Sequence, residues 1–184
     1  ESLYLLVGGL YGSEDEGQVK LERWTAGMSG PETVLEGLIS YRNEDADDTM
    51  PVVQRLMTDG ECLYGYDESS RQVTLLVDAA GSAAAQALCT LEAAEEASSA
   101  DDSYYGSYVS AMFVQNGEVV RLAENYGEGE TSYIVERYAL DTGKLVARSG
   151  ADNTLRTLCS YKNGKYLAMV QPAPGPEDMD MPMS

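Results

Sequence analysis

Apolar residues occur along the chain in short stretches that end at turn-forming residues. Asn116-Gly117 and Asn163-Gly164 each separate two such stretches, and Asp59-Gly60 does the same. Asn-Gly and Asp-Gly readily adopt the positive φ angles of a two-residue turn between antiparallel strands. The pattern therefore predicts repeated β-hairpins, with a weaker first one at Gly8-Gly9.

A second hairpin is predicted in each of the first three repeats. In the third repeat, apolar stretches flank Asp141-Thr142-Gly143. Residues 67–70 have the same position in the second repeat, and Thr25-Ala26-Gly27 in the first, where a longer loop follows. These segments are rich in Gly, Asp and Ser, which favour turn conformations. Each of these repeats is therefore expected to contain about four short strands.

The repeated hairpins divide the chain into units. The predicted boundaries are 1–40, 51–81, 104–150 and 154–171. The units form a single β domain over 1–171, and a tail rich in Pro, Met and Asp follows at 172–184. About four strands per repeat at a spacing of about 50 residues is typical of propeller blades.

Segments that run from an aromatic residue through a turn to a basic residue carry a family resemblance. They are Tyr66-Asp67 to Arg71 and Tyr138 to Lys144. Through them the chain resembles the divergent β-propeller repeats of bacterial secreted proteins and lipoproteins. The resemblance implies an all-β, propeller-like fold of about four partial blades. It also implies an extracytoplasmic location, either secreted or attached to the cell surface through a removed leader. A β-sandwich is the alternative fold, since it too has many short strands with regular turns.

One segment departs from the hairpin pattern. Residues 82–97 are rich in Ala, Leu and Glu, which favour helices, and Ser82 could cap a helix start. The sequence therefore predicts one short inserted helix at 82–97.

The fourth repeat ends differently from the others. Its last apolar stretch, 166–170, is followed by Pro172, which a central strand does not tolerate. The strand would leave an unpaired edge, and such edges invite pairing with another strand. We expect a terminal strand, for example the one predicted at 3–7, or a second molecule to pair there.

Composition narrows the possible functions. The 184 residues include 31 acidic and 12 basic side chains, a formal net charge of −19. This charge repels nucleic-acid phosphates and anionic lipid, so neither is an expected partner. The chain has no histidine, which removes the commonest general base and histidine metal ligands. Its three cysteines are widely spaced, and we interpret them as free, buried thiols without a cofactor role.

Tyrosines and acidic loops supply the candidate sites. The chain has 13 Tyr against one Phe and one Trp, and Tyr104, Tyr105 and Tyr108 cluster before the third hairpin. Such residues either fill grooves between sheets or, where exposed, contact a protein or glycan. The acidic segment at 44–48 is better interpreted as a solvated loop than as a metal site. Its weak metal candidates are Asp45, Asp47 and Asp48.

Three functions remain open. The first is a non-enzymatic, extracytoplasmic module that binds a protein or glycan through loops on a β scaffold. The second is a carbohydrate-active enzyme or glycan-binding domain that uses carboxylates and tyrosines. The third is a structural part of a larger protein, which sheet faces left open at the termini would favour. No catalytic residue or cofactor is implied.

Overall fold

The structure, a computed structural model, describes residues 2–8, 16–42, 49–93, 106–127, 130–161 and 165–171. In these ranges the chain forms only β-strands, turns and irregular connections. The strands, in chain order, are β1 Ser2–Gly8, β2 Gln18–Thr25, β3 Glu32–Ile39, β4 Arg55–Thr58, β5 Leu63–Tyr66, β6 Gln72–Val77, β7 Ala83–Thr90, β8 Gly106–Gln115, β9 Glu118–Gly127, β10 Glu130–Ala139, β11 Leu145–Arg148, β12 Leu155–Ser160 and β13 Tyr166–Val170.

Consecutive strands pair antiparallel to form four sheets. Their strand orders are β1-β2-β3, β4-β5-β6-β7, β8-β9-β10-β11 and β12-β13. The prediction of an all-β fold built from antiparallel hairpins is confirmed. None of the sheets that the described residues form closes on itself.

The chain divides into two compact units by its internal contacts. Unit 1 takes in the described residues up to Glu92 together with Leu140–Lys144, and unit 2 takes in the remainder. In unit 1 the first two sheets share one apolar core. Its buried members are Leu21, Leu38, Val53, Leu63, Leu76 and Val77. The single domain over 1–171 stays a prediction.

Unit 2 has its own core between the third sheet and the β12-β13 hairpin. Phe113, Val120 and Leu122 lie on one face of the third sheet, and Leu155 and Leu158 of β12 pack against them. Burial of these side chains is the main stabilisation of the short hairpin, because an isolated pair of strands is only marginally stable in water.

The predicted turns join antiparallel strands, but not all of these connections are two residues long. At the weaker candidate Gly8-Gly9, β1 ends at Gly8 and β2 begins only at Gln18. Asn116 and Gly117 have φ values of 54° and 74°, and Gln115 pairs directly with Glu118, so the two-residue turn is confirmed. At Asp59-Gly60 the connection is four residues long, because Thr58 pairs with Leu63. Here the Asp59 carboxylate organises the loop by accepting hydrogen bonds from two backbone amides. Asn163-Gly164 lies outside the described residues.

The helix predicted at 82–97 is wrong over its described part. Residues 83–90 form strand β7, which pairs with β6 through Val73 opposite Cys89 and Thr74 opposite Ala87. Helix propensity differs by only tenths of a kcal/mol between most residues, about 0–0.7 kcal/mol. Pairing with β6 satisfies a whole row of backbone groups, so it outweighs the preference of the alanines. Residues 94–97 lie outside the described part of the chain.

The expected closure by a terminal strand is also wrong within the described chain. There β1 pairs only with β2, and β13 pairs only with β12. Both terminal sheets therefore keep an edge strand with unpaired backbone groups on one side, at least among the described residues.

Candidate binding site

Strand register brings aromatic and charged side chains together on one face of the third sheet. Tyr108 of β8 lies opposite Glu124 of β9, and Glu124 lies opposite Tyr133 of β10. Directly paired residues project to the same face, and so does a residue two positions along the strand, which adds Tyr126. Arg156 of β12 lies over the ring of Tyr133. These five residues are called the tyrosine cluster below.

A β-bulge in β8 decides which side chains of β9 join this cluster. Ala111 pairs with Leu122, but Val109 pairs with Ala123, so Ser110 is the extra residue. A bulge changes the register by one position from that point onward. Without it, the residue opposite Tyr108 would be Asn125. The bulge therefore brings Glu124, and with it Tyr126, onto the face of Tyr108.

Two rings of the cluster are exposed to solvent. Tyr108 is 59% exposed and Tyr126 is 43% exposed. Their ring centroids are 5.6 Å apart with an interplanar angle of 79°, an edge-to-face contact. This is one of the arrangements that aromatic pairs prefer, because the positive edge of one ring meets the negative face of the other. The pair holds two exposed tyrosines against each other at the surface.

Glu124 connects the exposed tyrosines to the core. Its Oε1 accepts hydrogen bonds from the Tyr126 hydroxyl at 2.6 Å and from the Tyr133 hydroxyl at 3.2 Å. The hydrogen bond to Glu124 raises the pKa of Tyr126, since the negative carboxylate favours the neutral phenol. Burial, followed by the same carboxylate, raises the pKa of Tyr133. Both hydroxyls are therefore neutral donors at physiological pH.

Arg156 adds a positive charge beside the tyrosines. Its guanidinium carbon lies 5.5 Å from the Tyr133 ring centroid, within the range of a cation–π contact. Its Nε donates to the Gln171 side chain at 3.0 Å, and one terminal nitrogen donates to the Asn153 carbonyl at 2.7 Å. These bonds hold the guanidinium in place.

The cluster combines the groups that bind amphipathic ligands. Exposed rings offer apolar area at low conformational cost, because tyrosine has few rotatable bonds. A carboxylate accepts hydrogen bonds from hydroxyl or amide groups, and a guanidinium donates them. The arrangement can therefore hold a surface that is apolar in one part and polar in another.

Only part of this site can be recognised in the amino-acid sequence. Tyr108 lies in the cluster and is exposed instead of filling a groove. Tyr104 and Tyr105 lie outside the described residues, as do the metal candidates Asp45, Asp47 and Asp48. Tyr126, Tyr133, Glu124 and Arg156 were missed, and their only signal in sequence is the alternation of Glu124 and Tyr126 along a strand.

A second polar group is buried on the opposite face of the third sheet. A terminal nitrogen of Arg121 lies 2.5 Å from an oxygen of Glu136, which also accepts the Tyr138 hydroxyl at 2.9 Å. All three residues are at most 8% exposed. Their burial makes this group a structural element rather than a surface for ligands.

Metal ligands, membrane-spanning helices and reactive thiols are the other features on which a function could depend. No group of three or more Asp, Glu or Cys side chains there is placed to hold a metal ion, and no helix there is long and apolar enough to cross a membrane. Cys62 and Cys89 are partly buried free thiols, and burial raises the pKa of Cys89. Cys159 is exposed, so the expectation of a buried thiol is wrong there, because it lies on the outer face of a two-stranded sheet.

Comparisons with protein-family models, with curated proteins and with solved structures give no significant match.

Proposed function

We propose that this protein is a non-enzymatic binding module that contacts its ligand through the tyrosine cluster. One observation carries the proposal: Tyr108 and Tyr126 form an exposed edge-to-face pair next to a carboxylate and a guanidinium. Exposed aromatic residues with polar neighbours are typical of the centres of binding surfaces.

The paired strands that carry the cluster form a rigid scaffold, which supports a binding function. β9 and β10 pair along ten residues each, from Glu118 to Gly127 and from Glu130 to Ala139. The two four-stranded meanders have the strand order of propeller blades, which supports a propeller-like arrangement as part of the proposal. The repeat resemblance supports an extracytoplasmic location.

Glycan binding is the second candidate, and Glu124 favours it. Sugar rings offer an apolar face that stacks on aromatic side chains and hydroxyl groups that donate to carboxylates. Hydrolysis of a glycosidic bond normally uses two carboxylates at a fixed separation. The contacts of the described cluster include a single carboxylate, Glu124. The cluster therefore supports glycan binding better than glycan hydrolysis.

Ligand screening followed by calorimetry tests the proposal. A glycan array and a displayed peptide library are screened with the whole protein, and affinities of hits are measured by titration calorimetry. Replacing Tyr108 by Ala should weaken binding about 10- to 30-fold, which corresponds to about 1.4–2 kcal/mol for an aromatic contact at the centre of an interface. The type of hit distinguishes a glycan from a protein ligand.

Tyr161→Ala is the matched control. Tyr161 is a similarly exposed tyrosine at 49%. It follows β12 beside the far end of β8, where its carbonyl accepts from Gln115. Binding should be unchanged in this variant. Equal affinity of wild type and Tyr108→Ala for every hit would contradict the proposal, and so would an equal loss in Tyr161→Ala.

A further inference from the structure

The two exposed tyrosines of the cluster form an open corner on the third sheet. The rings of Tyr108 and Tyr126 meet at 79°, and their centroids are 5.6 Å apart. A cation is attracted to the negative face of an aromatic ring when it lies within about 6 Å of the ring centroid. Because the rings are nearly perpendicular, a cation between them can lie within this distance of both centroids. The pair, called the ring corner below, can therefore hold a positively charged group against two rings at once.

Glu124 supplies a negative charge beside the ring corner. It lies opposite Tyr108 in the neighbouring strand, and its Oε1 accepts a hydrogen bond from the Tyr126 hydroxyl at 2.6 Å. Oε1 also accepts from Tyr133, but no residue in the described part of the chain donates to the second oxygen, Oε2. A carboxylate accepts hydrogen bonds through both oxygens. A ligand group that is positively charged and carries N–H donors would therefore use both the rings and Oε2.

The same face of the sheet already holds one guanidinium on a tyrosine ring. The guanidinium carbon of Arg156 lies 5.5 Å from the ring centroid of Tyr133. Glu124 lies between Tyr133 and Tyr108, because β9 is the middle strand of the three, so its carboxylate reduces the repulsion between Arg156 and a second cation. The formal net charge of −19 adds a long-range attraction for cations. Charge therefore favours a cationic ligand over an anionic one.

We propose that the ligand of the tyrosine cluster is a peptide segment with an exposed arginine, whose guanidinium lies in the ring corner and donates to Glu124. Arginine fits both parts of the site, because its planar guanidinium stacks on aromatic faces and donates paired N–H groups to carboxylates. Tyr108 and Tyr126 are exposed at the surface, so a ligand meets them from one side, as a peptide lying along the sheet does. A neutral sugar gains nothing from the net charge. This assignment rests on the proposed function and specifies the chemistry of the ligand.

NMR titration of the full chain with two matched peptides tests the proposal. In one blocked peptide arginine alternates with glycine. In the other, each arginine is replaced by citrulline, which has nearly the same shape without the charge. At physiological salt the arginine peptide should bind with a Kd between about 10 µM and about 1 mM, the range of weak contacts. A cation–π contact at an exposed site and an exposed ion pair each change affinity by up to about 5-fold, so citrulline should weaken binding about 10-fold.

Glu124→Gln separates the contact in the site from the general attraction of an acidic chain. Glutamine keeps the shape of the side chain and an acceptor oxygen for the tyrosine hydroxyls but removes the charge. The preference for arginine over citrulline should therefore fall about 3- to 5-fold in this variant. Glu118→Gln is the matched control, because it removes the same charge from the same face of β9 about 20 Å away, where Glu118 pairs with Arg137. The preference should be unchanged in the control.

Three results would each overturn the proposal: an arginine peptide that does not bind at about 1 mM, a citrulline peptide that binds equally well, and an equal fall in preference in both variants. The proposed function fails separately. If a hit of the ligand screen still loses affinity in Tyr108→Ala, the cluster is a binding surface for a ligand of other chemistry. If no hit loses affinity there, both proposals fail.

Discussion

Replacing Gly143 by Ala should cost much more stability than the same change at Gly117. Both glycines have positive φ values, 70° at Gly143 and 74° at Gly117, so both variants force alanine into the left-handed region. Their surroundings differ. A Cβ on Gly117 meets nothing within 4 Å, whereas a Cβ on Gly143 would overlap the carbonyl oxygen of Thr90 and lie 2.7 Å from its carbon.

The expected loss of stability in each variant is the sum of a few separate contributions. The left-handed conformation costs alanine about 1–2 kcal/mol, and the reduced freedom of the unfolded chain returns about 0.4–1 kcal/mol. Gly117→Ala should therefore lose about 1 kcal/mol. At Gly143 the two backbones must also separate, which strains the packing by about 1–3 kcal/mol and weakens a hydrogen bond worth about 1 kcal/mol. That bond runs from the Glu92 amide to the Gly143 carbonyl at 2.8 Å. A total loss of about 3–5 kcal/mol is expected.

Urea denaturation followed by circular dichroism measures both losses, and thermal melting provides a second readout. For a chain of this size each kcal/mol lowers Tm by about 2–4 °C, so Gly143→Ala should melt at least about 6 °C below the wild type. Gly117→Ala should stay within about 4 °C of it. Equal losses in the two variants would refute the reasoning, because they would show that the approach of Gly143 to Thr90 is not tightly constrained.

Two further variants test buried polar groups. Glu136→Gln removes the charge that faces Arg121 inside the third sheet, so it should lower the free energy of unfolding by about 3–5 kcal/mol in urea denaturation. Glu32 is exposed, so the control Glu32→Gln should cost no more than about 1 kcal/mol. Similar losses in the two variants would show that the buried pair is solvated. Tyr64 is a pH probe, because burial, followed by the hydrogen bond to Asp59, raises its pKa well above the usual range. Because of this raised pKa, the folded state keeps its full stability below pH about 10 and loses up to about 1.4 kcal/mol per pH unit above it. The free energy of unfolding of Tyr64→Phe should therefore fall less steeply with rising pH than that of the wild type. Parallel alkaline melting curves would contradict this assignment.

Turn chemistry was predictable from the sequence because it is local. Asn116-Gly117 forms its two-residue turn since only a few residue types tolerate consecutive positive φ angles, and the neighbours in the chain are enough to determine it. The same reasoning placed the hairpins at Asp67 and Asp141. It failed in detail at Asp59, where the side chain accepts hydrogen bonds from the backbone and lengthens the loop.

Strand β7 shows the limit of local preferences. The alanines of residues 83–90 favour a helix when considered alone, but the free edge of β6 offers a complete ladder of backbone hydrogen bonds. That edge exists only after the second sheet has formed, so the sequence of β7 by itself could not reveal it. Tertiary pairing outweighed a propensity worth only tenths of a kcal/mol per residue.

The tyrosine cluster depended still more on tertiary structure. Tyr108 was a candidate from sequence, because clustered aromatics near a turn are visible there. Glu124 and Tyr126 share its face only because of the bulge at Ser110, and Tyr133 joins through pairing with a third strand. A shift of one residue exchanges every side chain between the two faces of a strand. The sequence by itself determined most of the strands and the places of the turns, because these depend on neighbouring residues. Pairing, register and packing depend on residues far apart in the chain, so only the tertiary structure decided that residues 83–90 form a strand and which side chains meet.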